Sequence, residues 1–287
     1  MQDVARFDPE KYKRTTYQQW QEAAPAWHRF GPTLRAWLGP ATERMLAMAG
    51  VSEGSRVLDV AAGAGDQSFA IAERVGPRGH VLATDLSPAI LAFAASDARA
   101  RGIKNLATRV MDGEELDLEA GSFDAVVSRV GLIYFPDQPK ALKQMHRVLV
   151  PGGRVAAMVW GAAESNGFFS KPVSIMRRRA ALGPPLPGQP GPFSLSSRDT
   201  VQQLYEAAGF TDVTFELVEA PLRLPSAADC LAFERESFGA LHQMLSGLSK
   251  AEKAAAWDEA FAELRQFEGP RGFEAPCVMA IAVGTKP

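Results

Sequence analysis

The stretch Val57-Leu58-Asp59-Val60-Ala61-Ala62-Gly63-Ala64-Gly65-Asp66 leaves this chain few folds to choose from. Its apolar start reads as a buried strand and its five small residues as a tight turn. Residues 66–75, with Phe69, Ile71, Ala72 and Val75 apolar, read as a helix. A strand that passes through a small-residue turn into a helix N-terminus places a ligand site at the carboxyl end of a sheet. Small residues there let a ligand come close to the backbone. Asp85 closes the next strand, residues 80–84, roughly 20 residues further on, where a carboxylate can accept hydrogen bonds from a ribose diol. The other reading of Asp85 is an ordinary acid at a helix start.

The strand–helix alternation continues. Ser87 caps and Pro88 opens a helix that runs to about residue 101 and is ended by Gly102. Residues 106–111, 123–128 and 154–160 read as strands, and residues 138–149 as a helix closed by Pro151-Gly152-Gly153. This order argues for an α/β fold, a parallel sheet with helices on both faces. Beyond Trp160 the pattern changes. Residues 183–192 are a Gly/Pro-rich loop, 197–208 a helix, 211–218 a strand, 226–267 mostly helix broken near Gly247, and 277–285 a last strand. Ahead of the sheet, residues 9–37 carry Tyr12, Tyr17, Trp20, Trp27, Phe30 and Trp37 and read as one or two amphipathic helices.

Composition narrows the function classes. Lys and Arg number 31 against 33 Asp and Glu, a net charge of -2, so there is no basic surplus for nucleic acid despite Arg177-Arg178-Arg179. Cys230 and Cys277 cannot make a disulfide framework, and the four histidines, at 28, 80, 146 and 242, lack zinc-ligand spacing, so no metal is expected. Residues 1–14 are charged and lack the apolar stretch of a signal peptide. No apolar run reaches the roughly 18 residues of a membrane span. A cytoplasmic protein without a membrane span is expected, its oligomeric state open.

The turn alone serves two ligand classes. A dinucleotide site wants G-x-G-x-x-G, but Gly63-x-Gly65 is followed by Asp66 and by Ser68 at the third position, and Asp66 is unfavourable to a pyrophosphate. S-adenosylmethionine, with an ammonium and a sulfonium and no phosphate, suits these acids better. At this point the chain resembles the class I S-adenosylmethionine-dependent methyltransferases, and most of all the ubiquinone/menaquinone biosynthesis methyltransferase group and its small-molecule relatives. Their turn has the form acid-x-G-x-G-x-G, matched by Asp59, Gly63 and Gly65, with Ala61 in the first glycine position. The resemblance runs on through Asp85-Leu86-Ser87-Pro88, Met111-Asp112-Gly113-Glu114, Ser122-Phe123-Asp124-Ala125-Val126-Val127-Ser128-Arg129 and Leu149-Val150-Pro151-Gly152-Gly153, covering about residues 50 to 160.

The resemblance implies a Rossmann-like sheet of seven mostly parallel strands, the last inserted antiparallel beside the fifth. A helical N-terminal segment (1–45) and a helical insertion (225–270) would cap a core made of 46–224 and 271–287. It also implies roles. Asp59, Ala61, Gly63 and Gly65 would hold the methionine part. Asp85 would take the ribose hydroxyls and Leu86 would pack on the adenine. Met111, Asp112 and Gly113, beside Glu114, would surround the ring, Asp112 accepting from its amine. Ser128 and Arg129 would lie beside the methionine chain and the methyl group. For Asp112 and Glu114 a solvated turn is the alternative. Asp124 reads as a structural turn. S-adenosyl-L-homocysteine would be the product, and no metal is implied.

Transfer from a sulfonium requires mainly that two reactants be positioned and water excluded, so a general base is optional. Tyr134, His28 and His242 are the candidate catalytic residues, with Tyr17 behind them; His80 and His146 read as a strand start and a surface helix position. Aromatic and apolar segments point to a small aromatic or apolar acceptor. The aromatic N-terminal segment reads either as a packed stripe or as a lid, and on the lid reading residues 1–37 could be removed with the sheet still folded. Open beside small-molecule methylation stand a methyltransferase acting on tRNA or protein, a nicotinamide oxidoreductase, and a non-catalytic S-adenosylmethionine-binding protein.

Overall fold

The computed structural model describes residues 6–186 and 188–287; the start of the segment read as lacking a signal peptide, and of the 1–45 segment, lies outside the described residues. Two helices come first, α1 (Pro9–Arg29) and α2 (Gly31–Met48). Asp8 caps α1 by accepting from the Lys11 amide. Then strands and helices alternate: β1 (Arg56–Val60), α3 (Asp66–Val75), β2 (His80–Asp85), α4 (Pro88–Ala100), β3 (Leu106–Val110), β4 (Phe123–Arg129), α5 (Gln138–Val148) and β5 (Leu149–Trp160). The chain continues with α6 (Gly167–Arg179), α7 (Arg198–Ala207), β6 (Thr211–Glu219), β7 (Leu222–Leu224), α8 (Ala227–Ser237), α9 (Gly239–Met244), α10 (Lys250–Leu264), β8 (Glu268–Gly269), β9 (Gly272–Ala275) and β10 (Val278–Thr285).

The seven-stranded sheet has the order β3-β2-β1-β4-β5-β10-β6, and β10 runs antiparallel to both neighbours. The other pairings are parallel. Central strands are buried on both faces, as a parallel sheet between helix layers must be. The fold is the expected Rossmann-like α/β architecture. Because β1 leads outward to β2 and β3 while β4 lies on its other side, the strand order reverses between β1 and β4. The crevice for ligands opens at that reversal.

Three features depart from the sequence reading. β5 begins at Leu149, not at 154, because the Pro151-Gly152-Gly153 segment is absorbed as an irregularity in the pairing with β4. Helix α6 and a small β7-β9-β8 sheet were not anticipated, since α6 carries an internal Pro172 and the small strands are only two to four residues long. Finally, α2 is core and not lid. Trp37, 6% exposed, stacks on Trp160 at 5.7 Å and donates to the Ala220 carbonyl at 2.6 Å, and Leu34, Leu38, Met45 and Leu46 are buried around it. Removing residues 1–37 would therefore open the core, and the expectation that the sheet survives that cut is corrected.

One buried group is costly. Glu234 of α8 is 0% exposed, and neither carboxyl oxygen has a hydrogen-bond partner among the described residues. Burial holds its pKa well above the carboxylate range, so it sits in the fold as a neutral acid. Glu234→Leu is expected to raise stability by about 2 kcal/mol at pH 7, the scale for removing a buried unpaired polar group. Urea unfolding of the two proteins measures it, and a loss of stability in the variant would show that the carboxyl has a partner in solution.

Candidate active site

The backbone is strained on both lips of the crevice. Ala61, just after β1, has φ 59°, and Val130, just after β4, has φ 60°. Left-handed backbone is rare for residues with a Cβ and rarer for a β-branched one, at a cost of roughly 1–3 kcal/mol each. Ala61 stands where related turns carry glycine, and room for its methyl comes from across the crevice. A Cβ at Gly131 would collide with the Ala61 methyl and come within 2.8 Å of Ser128 Oγ. At Gly113 a Cβ would meet the Phe135 ring at 2.6 Å and Val60 at 3.0 Å. Glycine at 131 and 113 is thus what lets the strand ends close around a cavity of about 410 Å³, within the usual small-molecule range of roughly 300–1,000 Å³.

One end of the cavity is bounded by the 61–64 turn, Asp85, Leu86, Ile90, Met111 and Asp112. Both Asp85 oxygens are fastened: Oδ2 accepts from the Gly63 amide and Oδ1 from the Ser87 amide, each at 2.9 Å. Burial raises its pKa while the Ser87, Gly63 and Leu86 amides pull it back. Its remaining lone pairs are those of a poorly hydrated acceptor fixed in direction. Asp112 accepts from the Glu114 amide at 2.9 Å and from the Lys13 ammonium at 2.7 Å. Glu114, buried, also takes Lys13 and the Asp137 amide. Burial alone would lower the Lys13 pKa, but the Asp112 and Glu114 carboxylates outweigh it and raise it. Gln21 accepts from the Ala89 amide at 3.0 Å and from the Ser87 hydroxyl. Lys13 and Gln21 thus pin α1 over this end.

The other end is apolar and aromatic. Trp27, Leu34, Trp37, Leu38, Trp160 and Phe238 line it, with Arg129, Asp66 and Arg35 forming a charged wall. Arg129 donates to Asp66 at 2.9 Å and to the Thr42 hydroxyl at 3.1 Å, and Arg35 donates to Asp66 at 3.1 Å. Tyr134 also lines the cavity, edge-on to Trp20 at 5.4 Å.

Several residues picked from sequence lie elsewhere. Asp59 does not line the cavity: it is fully buried, and its carboxylate accepts from Ser68 at 2.5 Å and from Gln67. It fixes Gln67, which does line the cavity. Burial pushes Asp59 up to about 6, against the Ser68 and Gln67 hydrogen bonds and the Arg129 charge, with the Asp85 charge pushing further up. The folded protein therefore binds a proton here more tightly than the unfolded chain, and stability falls as pH rises from about 4 to about 6. Asp59→Asn should flatten that part of the pH–stability curve, measured by urea unfolding at steps across the window; an unchanged slope would assign it to another group.

Gly65 is also off the cavity, its φ of 89° and the Ala94 methyl only 2.7 Å from a would-be Cβ giving it the task of seating α4 against α3. Ser128 is buried, with no partner for its Oγ among the described residues, and lies behind Gly131, not on the cavity wall. His242 is corrected outright. It lies in a separate surface pocket with Gln19, Glu22 and Arg235, its Nε2 on the Arg235 carbonyl at 2.7 Å and its ring against Trp257. Tyr17 does not line the cavity either. His28 does, with Nε2 at 3.3 Å from Asp97 and its ring stacked 4.3 Å from Phe93, so both contacts dock α1 on α4. Burial, with the Tyr12 phenol nearby, pushes the Tyr134 phenol far up. It can donate a hydrogen bond but will not serve as a phenolate base near neutral pH. His146 is packed, not surface: its ring meets Phe210 at 5.0 Å. Asp124 is structural as expected, accepting from the Arg56 amide at 2.7 Å.

A family model described as the ubiE/COQ5 methyltransferase family matches residues 36–172. A demethylmenaquinone methyltransferase of Geobacillus kaustophilus is 31% identical over 180 residues, which covers 60% of this chain and 77% of that protein. The chain belongs to the ubiE/COQ5 methyltransferase family. Rv1403c of Mycobacterium tuberculosis, an uncharacterized protein, is 35% identical over 169 residues, so that the chain spans 58% of its length. Among solved structures, YcgJ from Bacillus subtilis shares the fold with a TM-score of 0.57 at 20% identity, covering 86% of this chain and 98% of that one. The ubiE/COQ5 match takes in the glycine turn, Asp85, Asp112 and Arg129. Lys13 and Gln21 of α1 and everything after residue 172, Phe238 included, lie outside it. Among the described residues no helix is long and apolar enough to cross a membrane, and no group of three or more His, Cys, Asp or Glu is arranged to hold a metal.

Proposed function

We propose that this chain is an S-adenosylmethionine-dependent methyltransferase that moves a methyl group to the oxygen, carbon or nitrogen of a small aromatic or apolar molecule. The observation that carries this is Asp85: a carboxylate held by two backbone amides at the end of β2, facing a cavity whose other end is walled with tryptophan. Donor set and shape fit S-adenosylmethionine. Asp85 would accept from the ribose hydroxyls. Leu86, Ile90, Met111 and Phe135 would hold the adenine between apolar faces, with Gly113 leaving room beside Phe135. Asp112 would accept from the adenine amine, and the 61–64 turn would take the methionine part against exposed backbone.

When bound, S-adenosylmethionine supplies a methyl group already activated by its sulfonium. The protein's work is positioning and drying. Lys13 and Gln21 hold α1 across the cavity, and Trp20, Trp27 and Trp160 exclude water from the reacting end. Tyr134 would orient the acceptor as a hydrogen-bond donor. Acceptor choice would reside in α1, α2 and the α8–α9 corner, the segments that wall the aromatic end. Work in a reducing cytoplasm fits the two cysteines, both free and buried. Calorimetric titration with S-adenosylhomocysteine tests the cofactor assignment. One site per chain is expected, and no binding would remove the assignment.

A further inference from the structure

The charged wall at the aromatic end holds more hydrogen-bond donors than the protein uses. Two guanidiniums, Arg35 and Arg129, share the carboxylate of Asp66, and the buried Asp59 carboxylate lies close enough to feel the Arg129 charge. The Arg129 and Asp66 side chains are each only 9% exposed, Arg35 is half exposed, and Trp37, Leu38 and Trp160 line the same cavity. A guanidinium so poorly hydrated is best satisfied when a ligand oxyanion takes the N–H groups left open to the cavity. Donors remain to meet one: a guanidinium has five N–H groups, of which, among the described residues, Arg129 spends two on Thr42 and Asp66 and Arg35 one on Asp66. We propose that Arg35, Asp66 and Arg129 form a subsite for an oxyanion on the acceptor, so that the acceptor class is an aromatic acid that arrives ionised.

A second observation agrees. The carboxylates that line the cavity are already engaged. Asp66 is held by two arginines, Asp85 by two amides, Asp112 by an amide and Lys13. Asp97 is shared by His28 and Arg101, and the Tyr134 phenol stays protonated. An acceptor oxygen that is already ionised needs no proton removed. Arg129 keeps it so, because a guanidinium does not titrate and favours the charged form of a neighbouring acid. The flat aromatic walls complete the match, taking the ring while the arginines take the acid.

This inference rests on the methyltransferase reading of the same cavity, and binding experiments separate the two. The full chain is titrated with 2-naphthoate and with its neutral counterpart 2-naphthamide, first alone and then with S-adenosylhomocysteine bound. The acid is expected to bind at least about tenfold more tightly than the amide, the scale of one charge-assisted contact. Arg35→Gln, at a side chain 54% exposed and so not needed for folding, should remove most of that preference and leave S-adenosylhomocysteine affinity within about twofold. Equal binding of acid and amide, or binding of neither, overturns the subsite. A large loss of S-adenosylhomocysteine affinity in Arg35→Gln overturns it too, by giving the arginines to the cofactor's own carboxylate. Failure of S-adenosylhomocysteine to bind the unmodified protein would sink the cofactor reading alone, since the acid–amide ranking is read without it.

Discussion

Asp85→Ala is expected to weaken S-adenosylhomocysteine binding by roughly a thousandfold, about 4 kcal/mol. Two hydroxyl donors of the ligand would lose a charged acceptor, each such bond being worth about 1.5–3 kcal/mol. The loss is not confined to the ligand. The same carboxylate ties the Gly63 amide of the glycine turn to the Ser87 amide at the start of α4, so its removal loosens both walls of the cavity. Asp85→Asn keeps the shape and one acceptor oxygen and should fall between. Calorimetry on the three proteins gives the ranking, and an alanine variant that binds as tightly as the parent would remove the ribose assignment.

Gly131→Ala should cost about 3 kcal/mol in stability, in ligand affinity or divided between them. The added methyl has nowhere to go. It meets the Ala61 methyl, which cannot swing aside because it sits on a left-handed backbone, and it comes within 2.8 Å of Ser128 Oγ. Ala61→Gly removes the first obstacle and should also relieve strain at residue 61. The double variant is therefore expected to recover most of what the single one loses. Thermal unfolding and S-adenosylhomocysteine titration of the four proteins form the cycle. Purely additive effects would show that the two lips of the crevice do not touch as described.

Legibility in the sequence followed the range of the forces involved. The sheet could be read because its strands and helices are written in local patterns: α3 spans residues 66–75 as the apolar spacing predicts, and Ser87-Pro88 opens α4 where a cap and a first-turn proline should. Asp85, Leu86, Met111, Asp112 and Arg129 all line the cavity, and turn, spacing and resemblance point to them because they sit at strand ends. Asp59 and Gly65 lie in the same motif, yet they act behind the surface, one by fixing Gln67 and one by admitting Ala94. A motif marks residues the site needs without saying which of them face the ligand. Lys13, Gln21 and Arg35 carry no local signature at all. Lys13 meets partners 99 and 101 residues away, and an amphipathic helix pattern does not say what its polar face will touch. Arg129 and Asp66 were legible singly, but the cluster they form with Arg35 appears only in three dimensions. The same holds for His242, which sits on the helix that Phe238 begins but faces a different pocket.

The most direct test of the central claim follows the methyl group. The protein is incubated with S-adenosylmethionine labelled in its methyl carbon and with extract of its host cell, and the products are separated by size. Label in the small-molecule fraction, on a product whose mass exceeds that of an aromatic precursor by one methylene, is the predicted result. Label in RNA or protein, or no transfer to any fraction while S-adenosylhomocysteine still binds, would contradict it.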